Sequence, residues 1–134
     1  MHLFIATLCD QATESSGKLF ILGSFDTIRT QSFPMVHKEC TMALRMTFDH
    51  DEIGKHKIEI KMLDEDGRLG STVMNLDFEV KIPDYLLQVG QNFIVNIESL
   101  RLAKPGNYTW VVNYDRQRVT AIPLRALLLS DTPT

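Results

Sequence analysis

The residues able to do chemistry fall into a few small groups. Asp49, Asp51 and Glu52 crowd one stretch, and Asp64, Glu65 and Asp66 another. Hard cations such as calcium need six or more oxygen ligands, so one loop of three carboxylates is incomplete alone. Asp64-Glu65-Asp66-Gly67 resembles part of a calcium loop in its spacing, but the remaining ligands are missing. The ordinary alternative is a solvated turn whose Asp bonds its own backbone. The histidines are His2, His37, His50 and His56. His50 and His56 flank one acidic loop, yet a zinc site needs three or four converging ligands. They read as surface histidines, and no metal or other cofactor is expected.

Nucleophiles are no better supported. None of Ser15, Ser16, Ser24, Ser32, Ser71 and Ser99 sits in an elbow motif, and no glycine-rich phosphate loop opens a helix. Cys9 and Cys40 lie inside apolar runs, where burial disfavours the reactive thiolate. They read as two small buried hydrophobes in a reducing compartment. The sequence therefore supplies nothing positive for an enzyme.

The chain has 134 residues, 44% of them apolar and 23% charged, with a net charge of −3. That balance suits a single soluble domain and gives no general attraction to nucleic acid or anionic lipid. The N-terminal apolar run ends at Asp10 and has no basic leader, so it reads as a strand rather than a membrane span or signal peptide. A cytoplasmic location is expected.

The elements that would position these groups are strands. Tyr108, Trp110, Val112 and Tyr114 share one parity, and Thr109, Val111 and Asn113 the other. Asp115-Arg116-Gln117-Arg118 turns this strand into a partner, Val119 to Ala126, making a hairpin around the single Trp. Cys40, Met42, Leu44, Met46 and Phe48 alternate with Thr41, Ala43, Arg45 and Thr47. Ile58, Ile60 and Met62 alternate with Lys57, Glu59 and Lys61, and Met74, Leu76, Phe78, Val80 and Ile82 with Asn75, Asp77, Glu79 and Lys81. His2 to Cys9, Leu19 to Phe25 and Phe93 to Ile97 complete about eight strands. Gly23 implies a bulge or a close backbone approach, and Pro123 an edge or a bulge. Asp26 to His37 reads as an irregular crossover between sheets. Asp84 to Gly90 could form one helical turn.

The expected architecture is an antiparallel β-sandwich, immunoglobulin-like, C2-like or jelly-roll-like, with at most one short helical turn. One domain spans 1–129, and 130–134 is a frayed tail. In a meander the two acidic loops fall at opposite ends of their strands and do not converge.

The segments A-T-L-C-D-Q-A, G-K-L-F-I-L-G-S-F-D-T-I, F-P, D-E-D-G and G-N-Y-T-W-V-V-N-Y-D fit one pattern. Together they resemble a family of small uncharacterised bacterial proteins carrying a domain of unknown function. The resemblance covers nearly the whole chain and implies a stand-alone β-sandwich. It implies no catalytic residue.

Charge and edges suggest what such a sandwich does. Residues 49–84 carry ten acidic and five basic side chains, whereas 85–134 carry three acidic and five basic ones. Arg101, Lys104, Arg116, Arg118 and Arg125 make up the basic set. With Leu127, Leu128 and Leu129 they form a candidate interaction surface. His2 to Cys9 and Leu124 to Leu129 are too apolar to lie open, so one of them is expected to be covered in a homo-oligomer. The reading is a non-enzymatic scaffold or adaptor acting through protein contacts, with no nucleic acid or membrane partner. The alternative is a small-ligand or carbohydrate-binding module using Tyr85, Tyr108, Trp110 and Tyr114.

Overall fold

A computed structural model describes residues 1–131. Nine strands form two facing sheets: β1 (His2–Ser15), β2 (Lys18–Phe25), β3 (Thr27–Thr30), β4 (Met35–Asp49), β5 (Gly54–Leu63), β6 (Leu69–Val80), β7 (Gln88–Leu102), β8 (Gly106–Tyr114) and β9 (Gln117–Leu128). One sheet runs β2-β1-β4-β7 and the other β3-β9-β8-β5-β6. The architecture is the expected β-sandwich, with one parallel pairing, β3 on β9. Each of the two helical pieces is a single 3-10 turn, His50–Glu52 and Leu129–Asp131. The helical turn expected at Asp84 to Gly90 does not form. Instead Leu86 N–H closes a tight turn on the Pro83 carbonyl, and β7 already begins at Gln88.

The alternating apolar residues meet between the sheets as their parity requires. Met42, Leu44, Met46 and Phe48 of β4 face Ile58, Ile60 and Met62 of β5 and Trp110 and Val112 of β8, and all are buried. Trp110 is 0% exposed. Tyr108 seals the end of this layer and sends its hydroxyl 2.6 Å to the Lys104 carbonyl, four residues back along the chain.

Three local results differ from the sequence reading. First, β1 runs on through Asp10 to Ser15, because Ser16 and Gly17, both at positive φ, close a two-residue hairpin onto β2. Second, the crossover after β2 contains a strand. β3 lies against Arg125 to Leu128, so the chain covers that edge of β9 itself. Pro123 falls just beyond β3, opposite Thr109 of β8, where no ladder needs its missing N–H on the other side. Third, β1 is shared lengthwise between two partners, β4 along His2 to Cys9 and β2 along Leu8 to Ser15, so only Leu8 and Cys9 are flanked on both sides and, among the described residues, no strand pairs with the other side of His2 to Thr7.

The β1–β2 hairpin is a bent arm. Gly23 has φ +73 and lies so close to Asp10 that a Cβ there would meet Oδ2 at 2.5 Å, which is the close approach the sequence implied. At the tip, the Gly17 carbonyl accepts Arg45 Nη1 at 3.1 Å and Asn92 Nδ2 at 3.2 Å, and Glu14 Oε1 accepts Asn92 Nδ2 at 2.8 Å. Arg45 and Asn92 are register partners on the outer face of β4 and β7. The arm therefore doubles back over that face. Thr41 and Ala43, on the outer parity of β4, are consequently buried as well.

Candidate functional site

The most developed polar cluster lies where η1 (His50–Glu52) meets the β8–β9 turn. His56 opens β5 on the same parity as Ile58 and Ile60, so its ring points inward rather than to the surface. It stacks on Tyr114, with ring centroids 5.1 Å apart, and lies against Phe48 and Phe78. Nδ1 sits 2.5 Å from Asp115 Oδ2, and Nε2 sits 2.5 Å from the Glu52 carbonyl oxygen. The Tyr114 hydroxyl lies 3.0 Å from His56 Nδ1 and donates to Glu52 Oε2 at 3.1 Å. Glu52 Oε1 also accepts the Asp49 amide and lies 2.6 Å from the Met1 nitrogen. Asp115 takes a positive φ in the turn, and its Oδ1 accepts the Lys57 amide.

Two oxygen acceptors on the two ring nitrogens favour the imidazolium, in which both nitrogens donate. Burial pulls the His56 pKa down, but the Asp115 hydrogen bond, the Glu52 carbonyl and both carboxylate charges outweigh it, and the net value is raised. Glu52 is penalised by burial yet ends below its ordinary range, because the Met1 nitrogen, the Asp49 amide and Tyr114 all bond its charged form. Asp115 is held low in the same way by His56 and the Lys57 amide, again against a burial penalty. Burial, followed by the Glu52 carboxylate, drives the Tyr114 phenol well above its usual value. Charged and hydrogen-bonding capacity in this cluster is spent inward, on neighbouring protein groups. Its chemistry is that of a clasp joining η1, β5 and the β8–β9 turn.

The acidic loops lie at opposite ends of β5, as expected. Asp64 Oδ1 accepts the Asp66 and Arg68 amides, both at 2.9 Å, so this Asp does bond its own turn. Glu65 Oε1 accepts the Asn107 amide at 2.7 Å. Among the described residues, no group of three or more His, Cys, Asp and Glu side chains could hold a metal ion. Cys9 and Cys40 are buried free thiols. Burial raises both, Cys40 to about 11, with the charge on Asp10 adding to each. No helix of the described residues is long and apolar enough to cross a membrane.

The candidate interaction residues do not form one patch. Arg101 and Lys104 line a hollow with Tyr108 and Asp64 near the start of β8. Arg125 pairs with Asn107 at that same end and lies 3.6 Å from Asp26. Arg116 and Arg118 are at the opposite end of the hairpin, about 3.4 Å per residue along a nine-residue strand. Leu127 and Leu128 are half-buried beside β3, their partner in the ladder, and Leu129 is left half-exposed beyond it. Of the four aromatics offered for sugar binding, Trp110 and Tyr108 are core, Tyr114 belongs to the His56 cluster, and Tyr85 stands alone at 86% exposed.

Residues 18–25 escaped the sequence reading as a surface. Phe20 is 50% exposed and Leu22 66%, on the outward face of the arm with Gln11 and Thr13 behind them. The readable signal was the absence of any charge from Leu19 to Phe25.

No curated protein matches the chain. Among solved structures, it is similar to a glycosyl hydrolase family 2 member from Bacteroides cellulosilyticus, with 11% identity and a TM-score of 0.40 over 72% of this chain. The match spans only 15% of the hydrolase's length. The model of the Family of unknown function (DUF6941) matches residues 4–127, nearly the whole described sandwich, and the chain belongs to that family.

Proposed function

We propose that this protein is a non-enzymatic β-sandwich that acts through protein contacts, as a self-associating scaffold or adaptor in a reducing, cytoplasmic setting. The observation that carries the reading is the outward face of the β1–β2 arm. Phe20 and Leu22 stand in water there, although the fold has buried its other alternating apolar rows. Large apolar side chains grouped on an edge mark contact surfaces more often than isolated ones do. The inward-spent His56 cluster supports the same reading, since its groups are engaged with one another and with backbone.

Sedimentation velocity across a range from sub-micromolar to tens of micromolar tests the proposal. Concentration-dependent association that persists in high salt is expected, as apolar contact is screened far less than charge. A monomer throughout that range would overturn the self-associating reading.

A further inference from the structure

We infer that the outer face of the second sheet carries a binding site for a small oxyanion, the carboxylate or phosphate group of a metabolite, with Lys57 and Arg116 as its cations. The site stands apart from the apolar arm and does not depend on what that arm contacts.

Register assembles it. Asn75 of β6, Glu59 of β5 and Asn113 of β8 are ladder partners in one row across three strands, on the parity opposite core residues Ile58 and Ile60. Lys57, two residues before Glu59, shares that face, and Arg116 enters from the β8–β9 turn. These five residues line one hollow of about 170 Å³. Its polar groups are mostly donors. Glu59 Oε1 accepts one Nδ2 hydrogen of Asn113 at 3.2 Å, which leaves the second hydrogen for a ligand. Lys61, 3.8 Å from the same oxygen, offsets the Glu59 charge. Asp77 is the register partner of Lys57, yet among the described residues no ion pair holds either Lys57 or Arg116. Two unpaired cations and two amides around one small hollow suit the oxygens of an anion, and the guanidinium fork can take two of them at once.

The backbone gives a second, independent sign. Tyr114 pairs with Gln117, so Asp115 and Arg116 are the central residues of a two-residue turn, at φ +46 and +71. Such turns favour glycine at the second position, because a side chain strains the backbone there. The β1–β2 turn, of the same length, follows that preference with Ser16 and Gly17 at φ +53 and +75. Arginine at 116 keeps a strain that glycine would relieve, and strain of this kind concentrates at ligand sites. The turn is also held from beneath. The Asp115 amide donates to the Lys57 carbonyl at 2.9 Å, Asp115 Oδ1 accepts the Lys57 amide at 2.9 Å, and Oδ2 meets His56. The clasp thus fixes the neighbour of one cation to the backbone of the other, so little ordering is left for the ligand to impose.

The test separates the arginine side chain from the fold. Wild-type protein is titrated with sodium phosphate, and separately with sodium acetate, at constant ionic strength set by sodium chloride. Saturable NMR shifts are expected at the Asn75 and Asn113 side-chain amides and the Arg116 backbone amide. Saturation by phosphate alone assigns a phosphate group, and saturation by acetate as well assigns small oxyanions generally. Arg116→Gly should be at least as stable as wild type in urea, because it relieves the turn, and should still lower affinity about tenfold by removing the fork. Lys57→Met should weaken binding similarly, whereas Lys104→Met, in the other basic hollow, should not. Arg116→Gly binding as tightly as wild type would overturn the site. So would shifts that never saturate, or that spread evenly over the basic residues.

Discussion

His56 holds Asp115 Oδ2 on one ring nitrogen and the Glu52 carbonyl on the other, each at 2.5 Å, so one charged side chain bridges two segments that are distant in sequence. Its folded pKa lies above the ordinary 6.5. The stability it contributes is therefore complete below that value and is lost as pH rises through the folded pKa. Asp115 and Glu52 are depressed from 3.8 and 4.5, so their share is present above those values and lost as pH falls through the folded ones. The clasp is strongest in mildly acidic solution. His56→Gln should cost about 1 kcal/mol near the middle of that window, after allowance for screening at half-exposed Asp115. The deficit should shrink as pH rises through the folded His56 pKa. Urea unfolding at several pH values checks this, and a His56 titration by NMR at or below 6.5 would contradict it.

Trp110 sets the thickness of the core. It is fully buried, and its indole N–H has no hydrogen-bond partner among the described residues. Trp110→Ala should cost about 3–5 kcal/mol through lost burial and a cavity. Trp110→Phe should cost less than about 2 kcal/mol, because it removes an unpaired N–H along with volume. Chemical denaturation measures both. The native emission should be blue and protected from quenchers.

Asn92 ties the arm down with two bonds, to Glu14 Oε1 and the Gly17 carbonyl. Asn92→Ala should leave the core intact while loosening the tip, at a cost of about 1 kcal/mol. Hydrogen exchange should quicken at Thr13 to Leu19, whereas β5 and β8 keep their protection. Equal quickening everywhere would mean that the arm does not open independently.

Gly23 and Gly67 share nearly the same backbone, φ +73 and +77, but not the same surroundings. Nothing lies within 4 Å of a Cβ at Gly67, whereas one at Gly23 meets Asp10. Gly67→Ala should cost about 1–2 kcal/mol, the price of left-handed backbone alone. Gly23→Ala should cost more, and Asp10→Gly beside it should recover part of the excess. Thermal unfolding of the three variants decides the matter.

Alternation made most of the sandwich legible. Rows such as Met42-Leu44-Met46 and Ile58-Ile60-Met62 admit one face toward the core and no other. The arm was hidden because Asp10 to Ser15 is polar on both parities, and polar residues in a strand that leaves the sheet look like loop. β3 was hidden because four residues carry little periodicity and their partner is the last strand of the chain. Histidine at position 56 was misjudged by type. Its inward parity, shared with Ile58, was the available clue, but its partners Tyr114 and Asp115 come together only once β5 and β8 pair. Basic residues near the C-terminus looked like one group because a list of residues does not show that a hairpin carries its two ends apart.

Leaving the first sheet after Phe25, entering the second at Thr27 and returning at Met35, the backbone is laced through the sandwich. Pulling the layers apart would thus load covalent bonds as well as side-chain contact. Under mechanical stress the molecule should yield first by unzipping strands from an end, not by opening like a book.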